Sequence, residues 1–148
     1  MIIQTKFLGA VEIKEEAIIT FPEGIPGFHD ETQFALIPLN ETSPFLVLQS
    51  VKNEQVGFMV ATPYAFKADY AFDLAPEDVA QLAIEKPEDV FVYGILTLKD
   101  TLEQSTINLL APIVINEQTK LAKQIVLPAE DEALLRYPLK KVVEGSAK

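Results

Sequence analysis

An all-β fold, a sandwich or barrel of short antiparallel strands with one or two short helices, is what the sequence predicts. Three observations carry this. Short runs rich in β-branched and aromatic residues recur along the chain with turn residues between them, the composition a pleated, half-buried surface accommodates. They recur at short spacing without intervening long helices, which argues against a βαβ arrangement. The ten prolines fall mostly at the boundaries of these runs, where strands end or turn.

Taken in order, Ile2 to Phe7 and Val11 to Ile13 flank a turn at Gly9, and Ala17 to Phe21 follows after Lys14-Glu15-Glu16. These read as three short strands in a meander. Phe34 to Leu39, Phe45 to Ser50 and Gly57 to Ala61 are the next strands, and Val90 to Leu98 is the longest. Ile107 to Ile115 and Leu121 to Leu127 are two further runs, with Asn116 to Lys120 between them as a hairpin loop. Helical signals are few. Pro76-Glu77-Asp78 places Pro and two acids in a first turn, and Val79, Leu82 and Ala83 give apolar spacing of i, i+3, i+4, so a short helix is expected there. Pro87-Glu88-Asp89 repeats that start but runs straight into Val90, and reads as a turn. Glu130 to Tyr137 reads as a helical turn ahead of Pro138.

The 148 residues suit one domain, which at this size buries roughly 68–70% of the surface its unfolded chain exposes. Hydrophobic residues at 49% and charged residues at 23% argue against long disorder. With no cysteine, disulfides, thiolate metal sites and thiol nucleophiles are excluded together. No secretory signal is visible at Met1 to Lys6, and no apolar stretch approaches the roughly 20 residues that span a bilayer. A cytoplasmic location is expected.

Twenty-two acidic residues face 12 basic ones, a net charge of -10. Nucleic acid is disfavoured as a direct partner, because phosphate contact needs Lys and Arg to displace counterions. An anionic membrane surface is disfavoured for the same reason. A basic protein, by contrast, is attracted and steered.

Reactive groups are scarce. The one histidine, His29, lies in the loop Gly27 to Glu31 and reads as solvated. No G-x-S-x-G is present, and Gly24-Ile25-Pro26-Gly27 lacks the Lys-Ser or Lys-Thr of a phosphate loop; it reads as a tight turn. The acid pairs show no calcium-loop spacing. No enzyme activity, metal or cofactor is expected. The alternative kept open is a small acidic hydrolase working with paired carboxylates, which would need two of them about 5–9.5 Å apart in a cleft.

Charge is unevenly distributed. No Lys or Arg occurs from Glu15 to Val51 or from Ala68 to Glu85. The second stretch holds Asp69, Asp73, Glu77 and Asp78, an acidic face for a basic partner. It overlaps a segment dense in aromatics, Thr62 to Asp73, in which Tyr64, Phe66 and Tyr70 are the candidates to touch a partner. The competing reading puts Phe66 and Phe72 in the core, with Tyr64 and Tyr70 tethering the loop.

Phe21-Pro22-Glu23-Gly24-Ile25-Pro26-Gly27-Phe28, then Phe34-Ala35-Leu36-Ile37, Pro44 to Ser50 and Asn108 to Asn116, taken together and in this order, resemble the flagellar assembly factor family FliW. The resemblance covers nearly the whole chain. It implies a β-barrel-like fold, which sets a single domain at 1–139 and a polar tail at 140–148. It also implies a protein that binds newly made flagellin and, once freed by flagellin export, binds the RNA-binding translational regulator CsrA, relieving repression of flagellin mRNA.

Overall fold

The computed structural model describes residues 1–127 and 132–139. The tail at 140–148 and the first two residues of the turn expected at 130–137 lie outside the described residues.

At the N-terminus, β1 (Ile2–Thr5) and β2 (Gly9–Glu12) make a hairpin of their own, with Ile3 opposite Val11. Thr5 ties its reversal: the hydroxyl donates to the Gly9 carbonyl at 2.7 Å and accepts the Leu8 N–H at 2.8 Å. A single 3-10 turn at Glu15–Ala17 redirects the chain. The next strand, β3 (Ile19–Thr20), does not join the hairpin. It pairs antiparallel with β4 (Gln33–Pro38) and parallel with β10 (Leu121–Gln124). The expected three-stranded meander is therefore a hairpin plus a barrel strand. Burial decides this, because Ile19 and Phe21 go into the barrel interior, where a free meander has nothing to offer them.

From β4 the chain runs antiparallel through β5 (Phe45–Ser50) and β6 (Gly57–Ala61) to β7 (Val90–Thr97). Pro87–Asp89 is a 3-10 turn leading into β7, as its sequence indicated. The run 107–115 is not one strand. It splits into β8 (Thr106–Ile107) and β9 (Ile113–Asn116), because the Asn108 side chain accepts the N–H groups of Leu110 and Ala111 at 3.0 and 3.1 Å and turns the chain between them. β9 and β10 form the expected hairpin. The strands β3, β4, β5, β6, β7, β9 and β10 close into a seven-stranded barrel. β8 and β11 (Tyr137–Pro138) continue off β7 outside it.

Closure depends on β7 serving several neighbours. Val90 to Tyr93 pair with β9, Gly94 and Ile95 with β6, and Leu96 and Thr97 with β8. Gly94 stands at the changeover, where a Cβ would lie 2.6 Å from Ile107 Cγ1. Only glycine allows that approach.

Alternation along each strand separates the barrel interior from its outer face. Phe34, Leu48, Val60, Ile113, Ile115 and Ala122 point inward with Ile19, and Phe21 meets Phe34 edge-on at 5.2 Å. The outward residues are covered too. The N-terminal hairpin is tied to β5, where the Lys6 N–H donates to Gln49 Oε1 at 2.9 Å. The 62–74 segment and Leu134, Tyr137 and Leu139 cover Ala61, Leu96 and Ile107. The helix α1 (Pro76–Gln81) covers Val114 through Leu82. Each large side chain so buried contributes about 1.5–3 kcal/mol. No buried side-chain polar atom among the described residues lacks a hydrogen-bond partner.

Candidate functional site

The 62–74 segment begins where Pro63–Ala65 forms a 3-10 turn, with the Phe66 N–H donating to the Pro63 carbonyl at 3.0 Å. Its aromatics divide by burial. Phe66 packs into the second core cluster and lies 6.0 Å from Phe45. Tyr70 is 5% exposed, sits between Tyr64 at 6.0 Å and Phe72 at 5.6 Å, and donates its hydroxyl to the Leu109 carbonyl at 2.6 Å. Burial, with a smaller contribution from Tyr64, pushes that hydroxyl up to about 12. The rings of Phe66 and Tyr70 are both buried and attach the loop to the barrel, the placement that the competing reading gave them. Tyr64 remains, 44% exposed over Tyr70.

The acids divide in the same way. Asp69, Asp73 and Glu77 are exposed. Asp69 accepts from Lys67 at 2.6 Å, and that hydrogen bond and charge hold its carboxyl below the ordinary value. Asp78 is 7% exposed and pairs with Lys123 at 2.7 Å, so it joins α1 to β10 and is no part of a free acidic face. The Asp78 hydrogen bond raises the Lys123 ammonium above its usual value against some desolvation, and Glu23 and Glu77 also act on it.

Two surface features escaped the sequence reading. The first is a notch of about 190 Å³ between the 22–24 turn, α1 and β10. Pro22, Gly24, Leu82 and Ala122 wall it, and Glu23, Gln81 and Lys123 complete its lining. The turn is set by Gly24 at φ +70°, where a Cβ would strike the His29 backbone at 2.7 Å. Lys123 also donates to Gln81 Oε1 at 2.8 Å. Lys123 and Asp78 lie 45 residues apart, and no local signal links them. The second is a shallower groove lined by Pro38, Pro44, Leu46, Thr62 and Tyr93, with Glu41 also in its lining. Burial raises the Tyr93 hydroxyl above its usual value, and Glu117 adds to this.

His29 is exposed in its loop, its Nδ1 3.4 Å from the Glu23 carbonyl oxygen. No group of three or more His, Asp or Glu side chains that could hold a metal converges among the described residues. No helix among them is long and apolar enough to cross a membrane. The paired-carboxylate hydrolase gains no support from this arrangement.

These features define a small closed-barrel protein whose loops and short helix α1 cover the strands and leave an acidic, partly apolar exterior. The model of the family described as FliW protein matches residues 2–139. A flagellar assembly factor FliW of Bacillus subtilis (strain 168) is 50% identical over 127 residues, 86% of this chain and 89% of that protein. One of Shouchella clausii (strain KSM-K16) is 40% identical over 148 residues, 100% of this chain and 98% of its own. A crystal structure of the flagellar assembly factor FliW superposes with a TM-score of 0.83 at 41% identity, covering 88% of this chain and 92% of that one. The chain belongs to the FliW family.

Proposed function

We propose that this chain is a cytoplasmic flagellar assembly factor that binds flagellin and, when free of it, binds and antagonises CsrA, so that flagellin translation tracks export. The observation that carries the reading is membership of the FliW family over nearly the whole chain. The net charge of -10 supports the CsrA arm, since an RNA-binding protein presents a positive surface. Carboxylates held beside an RNA site weaken RNA binding without covering it, and linkage makes the penalty reciprocal. A coupling of about 1–3 kcal/mol corresponds to roughly 5–150-fold.

The flagellin arm calls for apolar surface. Tyr64 and the neighbouring groove reached through Thr62 are its candidates, while the exposed Asp69, Asp73 and Glu77 belong to the CsrA arm as the acidic face for a basic partner. The test is a competition. Immobilised protein is loaded with purified CsrA and titrated with flagellin, and CsrA should be released as flagellin rises. CsrA retained at saturating flagellin defeats the switch. A coupling between this protein and RNA on CsrA that is insensitive to salt defeats the electrostatic account.

A further inference from the structure

We infer that the notch between the 22–24 turn, α1 and β10 is a docking site for one apolar side chain of a polypeptide that carries a Lys or Arg beside it. The inference rests on the reading above in taking that polypeptide to be its basic partner.

Shape supports one side chain. The space, about 190 Å³, is of the order of an engineered apolar cavity of about 150 Å³ that admits a benzene ring. A branched aliphatic or aromatic group fits, whereas a whole helix does not. The walls are preformed. Leu82 and Ala122 back the notch, each 1% exposed and held by the core, and the exposed Pro22 supplies apolar surface beside them, so the notch exists before anything enters it and little ordering cost remains for binding.

Charge selects the occupant. Glu23 and Glu77 are exposed and make no ion pair among the described residues, while the one cation here, Lys123, is engaged by Asp78. Glu23 thus stands unpaired in the lining beside the Asp78–Lys123 pair, and Glu77 acts on the same ammonium from outside it, so carboxylates outnumber the ammonium there. A cation flanking the inserted side chain meets Glu23 or Glu77, and an acidic polypeptide or a second copy of this chain is repelled.

Two variants test this. Gln81→Trp, on the exposed side of α1, fills the notch. Glu23→Lys combined with Glu77→Lys reverses the rim without touching the core. Affinities for CsrA and for flagellin are measured by calorimetry at about 50 and about 300 mM salt, with thermal unfolding as the fold control. Gln81→Trp should weaken CsrA binding about tenfold or more and leave flagellin binding within about twofold. The charge reversal should weaken CsrA binding about tenfold at low salt and flatten its salt dependence. If Gln81→Trp lowers the unfolding temperature, the charge reversal decides alone. CsrA affinity within about twofold of the parent in both variants overturns the notch and leaves the proposed function standing. Loss of flagellin binding instead also overturns it. If the parent protein does not bind CsrA at all, the CsrA arm of the proposed function fails and the inference falls with it.

Discussion

Tyr70 shows how one side chain decides what its neighbours can do. Its ring is core and its hydroxyl holds the Leu109 carbonyl in the bend between β8 and β9. Tyr70→Phe leaves that carbonyl without its donor and should lower stability by about 1–2 kcal/mol, read as a fall of about 2–8 °C in Tm. Burial of the same hydroxyl sets a pH dependence. The folded hydroxyl titrates at about 12 against an ordinary value of 10.0, so the folded state keeps a proton that the unfolded state releases. Stability from this group is therefore present below about pH 10 and lost as pH rises toward about 12. Unfolding temperature followed through this window should fall more steeply for the parent than for Tyr70→Phe. Asn116 plays a comparable part: its amide donates to the carbonyls of Leu82 and Ala83 at 2.9 and 3.1 Å, groups the end of α1 leaves unpaired. It too was read from sequence only as part of a hairpin loop.

At the scale of elements, α1 is a short helix that its neighbours hold in place. Pro76 at its start and the acids that follow were readable, but six residues are too few to be stable alone. Leu82 in the core, the Asp78–Lys123 pair and Asn116 keep it on β9 and β10. Its exit puts Ala83 at φ 53°, a conformation usually given to glycine. Ala83→Gly should therefore raise stability by about 0.5–1 kcal/mol, the relief of strain exceeding the added freedom of the unfolded chain; urea unfolding measures it. The 21–28 turn gives the opposite case. Gly24→Ala combines a positive φ with a clash against the His29 backbone and should cost at least about 1–3 kcal/mol. A thermal midpoint within a degree of the parent would contradict that geometry. Strand positions were mostly legible from alternation and turn residues. The misread run at 107–115 does carry marks of its bend, Asn108 and Pro112, but they stand among seven apolar residues that together read as one strand.

For the whole molecule, the barrel fixes which charges become neighbours. Asp69, Asp73, Glu77 and Asp78 read as one acidic face in the sequence, yet Lys67 and Lys123 each engage one of them. What remains is Asp73 and Glu77, exposed and in no ion pair among the described residues, and the net charge acting at a distance. On the proposed function, association with CsrA measured by stopped flow should slow about tenfold or more between about 50 and about 500 mM salt, since steering is screened over a Debye length. Dissociation should change far less. A salt-independent association rate would remove charge from the recognition.

The all-β class, most strands, the β9–β10 hairpin, the short helix, the acidic balance and the family are legible in the residues alone, because they reside in local pattern, composition and ordered strings. That the sheet closes, that β3 joins β10, that Phe66, Tyr70 and Asp78 are buried, and that Glu23, Gln81 and Lys123 share a notch emerges from the folded arrangement. The reason is physical. Periodicity tells a residue which side of its own strand or helix it occupies, whereas burial and ion pairing depend on elements many residues away.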